Sequence, residues 1–183
     1  MKLIIGLVGE KFAGKDAVAD YLAKEYKAAH VRFSHILDDI LRLLNLPISR
    51  RSEIDLGLGL RQIFGRSVLG PAIIKRAEKA AAEIVVVNGI RMDEMENIKN
   101  IGAKIIYVTA PAKVRFERYL KRREKTDDGT MNFEQFKEQE KELTEIGIPE
   151  LGKRADHKIE NIGTLEELYQ KAEEALKDIR NKI

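Results

Sequence analysis

A glycine-rich stretch near the amino end has the spacing that phosphate-binding loops require. Gly9, Gly14 and Lys15 fall at the offsets G-x-x-x-x-G-K in the run GEKFAGKD. Glycines let the backbone curl so that successive N–H groups point at an anion, and the lysine reaches the outer phosphates of a nucleoside triphosphate. The alternative is a plain turn between a strand and a helix, and the same offsets arise by chance in roughly 5% of chains of this length. We interpret the stretch as a nucleotide-binding loop made of Gly9, Glu10, Lys11, Phe12, Ala13, Gly14, Lys15, Asp16 and Ala17, with Lys15 also catalytic.

The residue after the lysine departs from the usual motif, in which Ser or Thr ligates Mg²⁺ and an aspartate on another strand holds the far side of the ion. Here Asp16 replaces the hydroxyl, and Asn88 ends the strand-like run VVVN where the aspartate is expected. We interpret this as the relocation of one negative charge from one side of the metal site to the other. Asp16 would then be a metal ligand, either directly or through water, because Mg²⁺ accepts oxygen ligands and keeps several waters. The alternative is that Asp16 only stabilises a helix N-terminus.

Two concentrations of basic side chains could cancel the charge of a transferring phosphoryl group. Arg118 and Arg122 are four residues apart on one face of a predicted helix, and Arg115 lies one turn earlier. Guanidinium groups suit phosphoryl transfer, which depends on positioning and charge cancellation. The alternative is a solvated helix face. In the other concentration, Arg61 belongs to a predicted helical segment, while Arg50 and Arg51 are equally consistent with exposed positions.

The hydrophobic pattern predicts strands and helices that alternate five times. Predicted strands span 3–8, 30–33, 83–89, 103–110 and 156–161. Predicted helices span 15–27, 34–44 with Ser34 as N-cap, 60–82 with a break near Gly70-Pro71, 92–100, 111–123, 133–143, and a last one from Thr164, while 49–60 is predicted as a loop. The alternation predicts an α/β three-layer sandwich with a five-stranded parallel sheet. Ligands of such sheets bind beyond the carboxyl ends of the strands, so we expect the site in the loops 9–15, 34–39, 88–92 and 110–115.

Composition limits the class of protein. The 183 residues are 44% hydrophobic and 34% charged, which predicts one globular domain over 1–183. The chain has no cysteine and no apolar run of the roughly 18 residues that a membrane span needs, so we expect a cytoplasmic protein without a membrane partner. A net charge of only +3 and the lack of an aromatic platform make a nucleic-acid-binding domain an unfavoured alternative.

Several stretches together resemble a known family. GKD in place of GK[ST] is similar to deoxynucleoside-monophosphate kinases and phosphomevalonate kinases, and nearly the whole chain resembles small P-loop kinases, especially archaeal dephospho-CoA-kinase-like and adenylate-kinase-related proteins. The resemblance is carried by LRQIFGRSVLG, VVVNGIRMDEMENIK, YVTAPAKVRFERYLKRREKTDD and IGIPELGKRADHKIENIGTLEEL. It implies a nucleoside-monophosphate-kinase-like fold that binds ATP and Mg²⁺. It also implies an acceptor-binding segment at about 34–82 and a helical lid at about 115–145.

The resemblance also assigns roles to arginines. In that family the third strand ends in Asp-Gly-x-Arg, whose arginine grips the acceptor's phosphate; Gly89 and Arg91 match, and Asn88 does not. Arg118 and Arg122 match the lid arginines. Dephospho-CoA kinases carry an acidic residue just after the second strand, where this chain reads FSHILDD, with Ser34 or His35 at the place and Asp38 a turn later. This difference favours an acceptor that is itself a phosphate, because its oxygen attacks already ionised.

We therefore expect an ATP-dependent phosphotransferase acting on a small nucleotide-like acceptor, most directly a (deoxy)nucleoside monophosphate, with Lys15, Arg91, Arg118 and Arg122 as catalytic residues. The alternative enzyme is a dephospho-CoA kinase. An alternative of another class is a nucleotide-binding switch or ATPase without a small-molecule acceptor. ATP or GTP as donor, and a monomer or a small homo-oligomer, stay open.

Overall fold

The computed structural model describes residues 2–121, 130–142 and 145–182 of the chain. Within these residues, five strands form one parallel sheet in the order β2-β3-β1-β4-β5. The strands are β1 Leu3–Val8, β2 Ala29–Arg32, β3 Ile84–Asn88, β4 Lys104–Thr109 and β5 His157–Glu160. The register pairs Leu7 with Asn88 and Val8 with Tyr107, so β1, β3 and β4 end at the same edge of the sheet. The predicted sheet is therefore confirmed.

Helices cover both faces of this sheet and make it the middle of three layers. The helices are α1 Lys15–Tyr26, α2 Phe33–Leu43, α3 Arg50–Phe64, α4 Leu69–Lys79, α5 Met95–Asn100, α6 Ala112–Lys121, α7 Phe133–Glu138, α8 Ile148–Lys153 and α9 Leu165–Asn181, with short 3-10 turns at Met92–Glu94 and Gln139–Lys141. Alternate residues along β3 face opposite sides, as the pleat requires. Val85 and Val87 pack with α2, α4, α5 and α8, whereas Val86 packs with α1 and α9. None of the described helices is long and apolar enough to cross a lipid bilayer.

Three predictions about helices are wrong. The segment 49–60 is not a loop, because α3 begins at Arg50, where the Ser49 side chain accepts a hydrogen bond from the backbone of Ser52. The break in the next helical stretch lies at 65–68, before Gly70-Pro71, which falls in the first turn of α4. Ser34 is not an N-cap, since the chain passes directly from β2 into α2 and Arg32 occupies the cap position. Helix α8 was not predicted.

The C-terminal helix begins as expected. Thr164 and Glu167 form a reciprocal capping box, in which each side chain accepts a hydrogen bond from the other residue's backbone N–H. Such a box satisfies two donors that a helix start otherwise leaves without a partner. Helix α9 then packs on α1, which begins at the glycine-rich loop. The sheet edge, α1 and α9 thus hold that loop in place.

Candidate functional site

The backbone of the glycine-rich loop adopts conformations that only glycine tolerates well. Gly9 has φ +154° and Gly14 has φ +108°, and Gly14 directly precedes α1. A Cβ atom at Gly9 would lie 2.0 Å from the carbonyl oxygen of Val108, and one at Gly14 would lie 2.4 Å from Nδ2 of Asn161. Both glycines are therefore required by close approach as well as by φ. The curled loop ends at the N-terminus of α1, where backbone N–H groups and the helix dipole favour an anion.

Lys15 lies across this loop. Its ammonium group donates to the carbonyl oxygens of Gly9 at 2.7 Å and Glu10 at 2.8 Å. The pKa of Lys15 is lowered to about 8, mainly by burial and also by the nearby charge of Arg91, while the charges of Asp16, Glu145 and Glu10 oppose these effects. An anion held by the loop would give the ammonium a charged partner and favour its protonated form. The glycine cradle and the lysine thus fit a polyphosphate group.

Asp16 belongs to a polar network at the carboxyl ends of β2 and β3. Its Oδ1 accepts hydrogen bonds from Arg32 at 3.0 Å and from Asn88 at 2.8 Å. The Asn88 amide nitrogen is also 3.2 Å from Nε2 of His30, and Nδ1 of His30 is 3.1 Å from Asp20. Burial lowers the pKa of His30, with Arg32 acting in the same direction. Asp16 and Asn88, which the sequence places 72 residues apart, are thus direct neighbours.

The same edge of the sheet opens into a cleft of about 640 Å³. Lys15 and Asp16 lie on its wall with Arg91, and α2 and α3 supply much of the other lining. Basic side chains outnumber acidic ones among the described lining residues: Lys11, Lys15, Arg32, Arg50, Arg61 and Arg91 against Asp16, Asp38, Glu53 and Glu145. Small-molecule sites typically enclose about 300–1,000 Å³. The cleft is therefore large enough for a small anionic ligand beside the loop.

Arg91 lies close to Lys15 but is paired within the protein. Its Nη2 donates to Oε1 of Glu145 at 2.8 Å, and Oε1 of Glu145 is also 4.0 Å from the ammonium group of Lys11. Lys11 donates more closely to Glu142, at 2.9 Å. The Glu145 side chain is only 5% exposed. The predicted acceptor arginine is thus in the cleft, next to a buried carboxylate that sequence analysis did not identify.

Arg118 and Arg115, two of the three arginines considered for the lid, have different surroundings. Arg118 contacts the glycine-rich loop directly, since it donates to the carbonyl oxygens of Phe12 and Ala13, each at 3.4 Å, and it also donates to the carbonyl oxygen of Asn161 at 3.0 Å. Arg115 is buried and donates to the carbonyl oxygen of Ala110 and to the Glu140 carboxylate, so its contacts are those of a residue that stabilises the fold. Arg122 lies outside the described residues. Arg118 could act on a nucleotide bound to the loop, whereas the acceptor side of the cleft is lined by other arginines.

Two further arginines lie in the cleft: Arg61, whose role the sequence leaves open, and Arg32, which was not predicted as a site residue. Arg61 donates to Oε1 of fully buried Glu94 at 2.6 Å, and it lines the cleft. The missed signal for Arg32 is its position as the last residue of β2, since parallel strands place their carboxyl ends at the ligand edge. Arg50 lines the cleft with its guanidinium 5.9 Å from the Phe12 ring, whereas Arg51 pairs with Asp55 in an exposed position.

The residues that stand near the place of the acidic residue of dephospho-CoA kinases also line the cleft. Ser34, His35 and Asp38 lie on α2, which follows Arg32 directly. Burial lowers the pKa of His35, with Arg32 acting in the same direction. Oδ1 of Asp38 is shielded from water and has no hydrogen-bond partner among the described residues. A carboxylate of this kind can accept a proton from a ligand hydroxyl.

The described residues offer few ligands for the Mg²⁺ ion that is expected at Asp16. No cluster of three or more Asp, Glu, His or Cys side chains occurs in the described part of the chain. Such a small ligand set fits Mg²⁺, which usually takes one or two carboxylates together with waters and substrate phosphates. Asp16 is the carboxylate next to Lys15, but Arg32 and Asn88 occupy its Oδ1. The residues are thus compatible with Mg²⁺ only if a phosphate supplies further oxygens.

Known proteins resemble this chain both in sequence and in fold. No protein-family model matches the chain. A UPF0200 protein from Sulfurisphaera tokodaii is 33% identical over 180 residues, covering 96% of this chain and 97% of its own. Shikimate kinase from Acinetobacter baumannii has a similar fold, with a TM-score of 0.60 and 16% identity over 100% of this chain and 95% of its own. Dephospho-CoA kinase from Campylobacter jejuni covers 100% of both chains with a TM-score of 0.58 and 15% identity. The fold is that of P-loop kinases, as the resemblance implied.

Proposed function

The chain belongs to the UPF0200 family, and we propose that it transfers the γ-phosphoryl group of ATP to a small phosphorylated acceptor, most directly a (deoxy)nucleoside monophosphate. One observation carries this proposal: Lys15 of the glycine-rich loop and four arginines line a single cleft. Those arginines are Arg32, Arg50, Arg61 and Arg91. A donor's triphosphate and an acceptor's phosphate would both need cationic partners there, because phosphoryl transfer depends on holding and neutralising two anionic groups in line.

Each part of the site has a role in this proposal. The loop 9–17 binds the triphosphate through backbone N–H groups, and Lys15 contacts its outer phosphates. Arg91 holds the acceptor's phosphate, and Arg118 stabilises charge on the donor side of the loop. Asp16 is the residue that would hold Mg²⁺, directly or through water, and the ion would supply charge neutralisation at the phosphates. Arg122 is proposed as a second lid arginine.

A hydroxyl acceptor such as dephospho-CoA is the second candidate, and Asp38 is the observation that favours it. A hydroxyl must lose its proton to attack, whereas a phosphate oxygen is already ionised at neutral pH. Asp38 lines the cleft and has a shielded oxygen without a partner among the described residues. Asp38→Asn would abolish transfer to a hydroxyl acceptor and leave transfer to a nucleoside monophosphate largely intact.

The test is ADP release from Mg·ATP with a panel of acceptors: nucleoside and deoxynucleoside monophosphates, phosphomevalonate, dephospho-CoA and shikimate. The proposal predicts that at least one phosphorylated acceptor stimulates ADP release and that Arg91→Ala raises the KM for it. Stimulation by dephospho-CoA alone would support the second candidate. ATP binding without acceptor-stimulated release would contradict both and support a nucleotide-binding switch. Repeating the panel with GTP identifies the donor.

A further inference from the structure

Glu145 places a carboxylate beside the cations of the cleft. It accepts a hydrogen bond from Arg91 at 2.8 Å and lies 4.0 Å from the Lys11 ammonium. It is also one of the charges that raise the pKa of Lys15. The side chain is only 5% exposed, so this is a shielded pair and not a surface ion pair. A buried carboxylate in this position takes up an arginine that a ligand phosphate would otherwise bind.

The pairing uses only part of what Arg91 offers. Nη2 of Arg91 donates to Oε1 of Glu145, whereas Nη1 is shielded from water and has no partner among the described residues. A buried donor without a partner is costly, and arginine binds phosphate best through two parallel hydrogen bonds. A phosphate monoester brings several acceptor oxygens and can satisfy both nitrogens. The structure therefore contains an arginine that a phosphate could pair more completely than Glu145 does.

We propose that Glu145 is a built-in competitor for the acceptor's phosphate at Arg91, and that it makes the cleft select dianionic phosphate monoesters over carboxylates and uncharged alcohols. A monocarboxylate ligand offers Arg91 no more charge than Glu145 already provides, so it gains little by displacing it. An alcohol cannot replace the charge at all. A phosphate monoester gains on both charge and hydrogen bonds. This inference rests on the proposed function for the identity of Arg91 as the acceptor's partner.

The displaced carboxylate has a nearby partner. The Lys11 ammonium lies 4.0 Å from Oε1 of Glu145, too far for a hydrogen bond but close enough for an ion pair, and it is already paired with Glu142. Glu145 also begins a turn in which its carbonyl oxygen accepts from the backbone N–H of Ile148 at 2.9 Å, and its own N–H donates to Glu142 O at 2.8 Å. A shift of Glu145 toward Lys11 would strain this turn. Binding of a phosphate at Arg91 is therefore coupled to loosening of the turn hydrogen bond from the Ile148 N–H to the Glu145 carbonyl oxygen.

The first test measures binding of small probes without ATP. Isothermal titration of the full chain with methyl phosphate, acetate and methanol is compared for the native protein, Glu145→Gln and Glu142→Gln. Glutamine keeps an acceptor for Arg91 but removes the competing charge. We expect Glu145→Gln to bind methyl phosphate about tenfold more tightly and to bind acetate measurably. Glu142→Gln is the matched control, since the Glu142 side chain is 41% exposed and, within the part of the chain that the structure describes, its ion pair is with Lys11; we expect a change below about twofold.

The second test needs no variant. Hydrogen exchange of the native chain with and without methyl phosphate should show faster exchange of the backbone amide of Ile148 when the probe is bound. Equal or slower exchange there, or unchanged methyl phosphate affinity in Glu145→Gln, would overturn the inference. Failure of the proposed function looks different. If no acceptor on the panel stimulates ADP release while Glu145→Gln still binds methyl phosphate more tightly, the competitor role stands and the kinase proposal fails.

Discussion

The side-chain amide of Asn88 donates a hydrogen bond to Oδ1 of Asp16 over 2.8 Å. This contact joins the end of β3 to the first turn of α1, the two places where related loops carry a carboxylate and a hydroxyl around a magnesium ion. In this chain the carboxylate and the neutral group have exchanged sides. Because the two side chains touch, a negative charge at either position would lie within a few ångströms of the same point.

Moving the charge back tests whether its position matters. Asp16→Ser alone should lower Mg²⁺-dependent ADP release by at least about tenfold, because a charged ligand is lost. Adding Asn88→Asp should restore much of that activity, since the charge returns to the β3 side. The measurement is the Mg²⁺ concentration dependence of turnover, with Mn²⁺ binding followed by electron paramagnetic resonance. A double variant no better than Asp16→Ser would rule out charge relocation.

The lowered pKa of Lys15 predicts a proton linked to nucleotide binding. With a pKa of about 8, a large fraction of Lys15 is neutral at pH 8, and a bound polyphosphate would raise that pKa. Titration with Mg·ATP, whose terminal phosphate is already ionised, at pH 8 in buffers of different ionisation enthalpy should therefore show fractional proton uptake that becomes much smaller at pH 6.5. Lys15→Arg should show none, since guanidinium stays charged. Equal uptake in the arginine variant would assign the proton to another group.

The same pKa has a consequence for stability. Between about pH 8 and 10.5 the unfolded chain keeps its proton on Lys15 while the folded protein loses it. The unfolded state then binds more protons, so Lys15 makes the free energy of unfolding rise with pH across this range. Comparing urea denaturation of the native chain and Lys15→Arg at several pH values isolates this contribution. The difference should vary with pH above 8 and be constant below about 7.

Arg61 should be important for stability as well as for ligand binding. Its partner Glu94 is fully buried, with Oε2 lacking a partner among the described residues. Arg61→Ala leaves that charge unpaired and should destabilise the fold by about 3–5 kcal/mol, and adding Glu94→Gln should recover part of the loss. Arg51→Ala is the control on the same helix, because its pair with Asp55 is exposed, and it should cost below about 1 kcal/mol. Equal losses for both arginines in urea denaturation would contradict this.

Two glycines allow a matched comparison. Gly14→Ala puts a methyl group 2.4 Å from Asn161 Nδ2 at a φ of +108°, so it should destabilise the loop and weaken ATP binding. Gly59 lies within α3 and a Cβ there meets nothing within 4 Å, so Gly59→Ala should stabilise the fold by about 0.5–1 kcal/mol. Thermal denaturation with and without ATP measures both effects. Tight ATP binding by Gly14→Ala would contradict the proposed role of the loop.

Hydrophobic patterns predicted the sheet well and α3 poorly, for a physical reason. Buried parallel strands read as continuous apolar runs, so β1, β3 and β4 were recognisable from local residues alone. Helix α3 contains Gly57 and Gly59, which locally favour a loop. Tertiary packing overrides that preference at Gly57, which is buried where a Cβ would lie 3.2 Å from Arg61 Nη1 and 3.5 Å from Leu37. Part of this requirement comes from Leu37 on the neighbouring helix α2, which is distant in sequence and leaves no local signal.

The residues of the site also fall into two groups, those that local sequence motifs predict and those that only the fold brings together. Lys15 and Asp16 follow from a contiguous motif, and the resemblance added Arg91, which the structure places in the same cleft. Their partners come from distant parts of the chain: Arg32 from the end of β2 and Glu145 from the segment before α8. Arg91 and Glu145 are 54 positions apart, so no local pattern in the sequence indicates that they form an ion pair.

Isothermal titration of the protein with Mg·ATP, set beside Lys15→Ala, is the most direct test that the loop 9–17 binds a nucleoside triphosphate. We predict saturable binding to the native chain with one site per protein molecule, and loss of most of that affinity in Lys15→Ala. No binding to the native chain, or equal affinity in the two proteins, would contradict this.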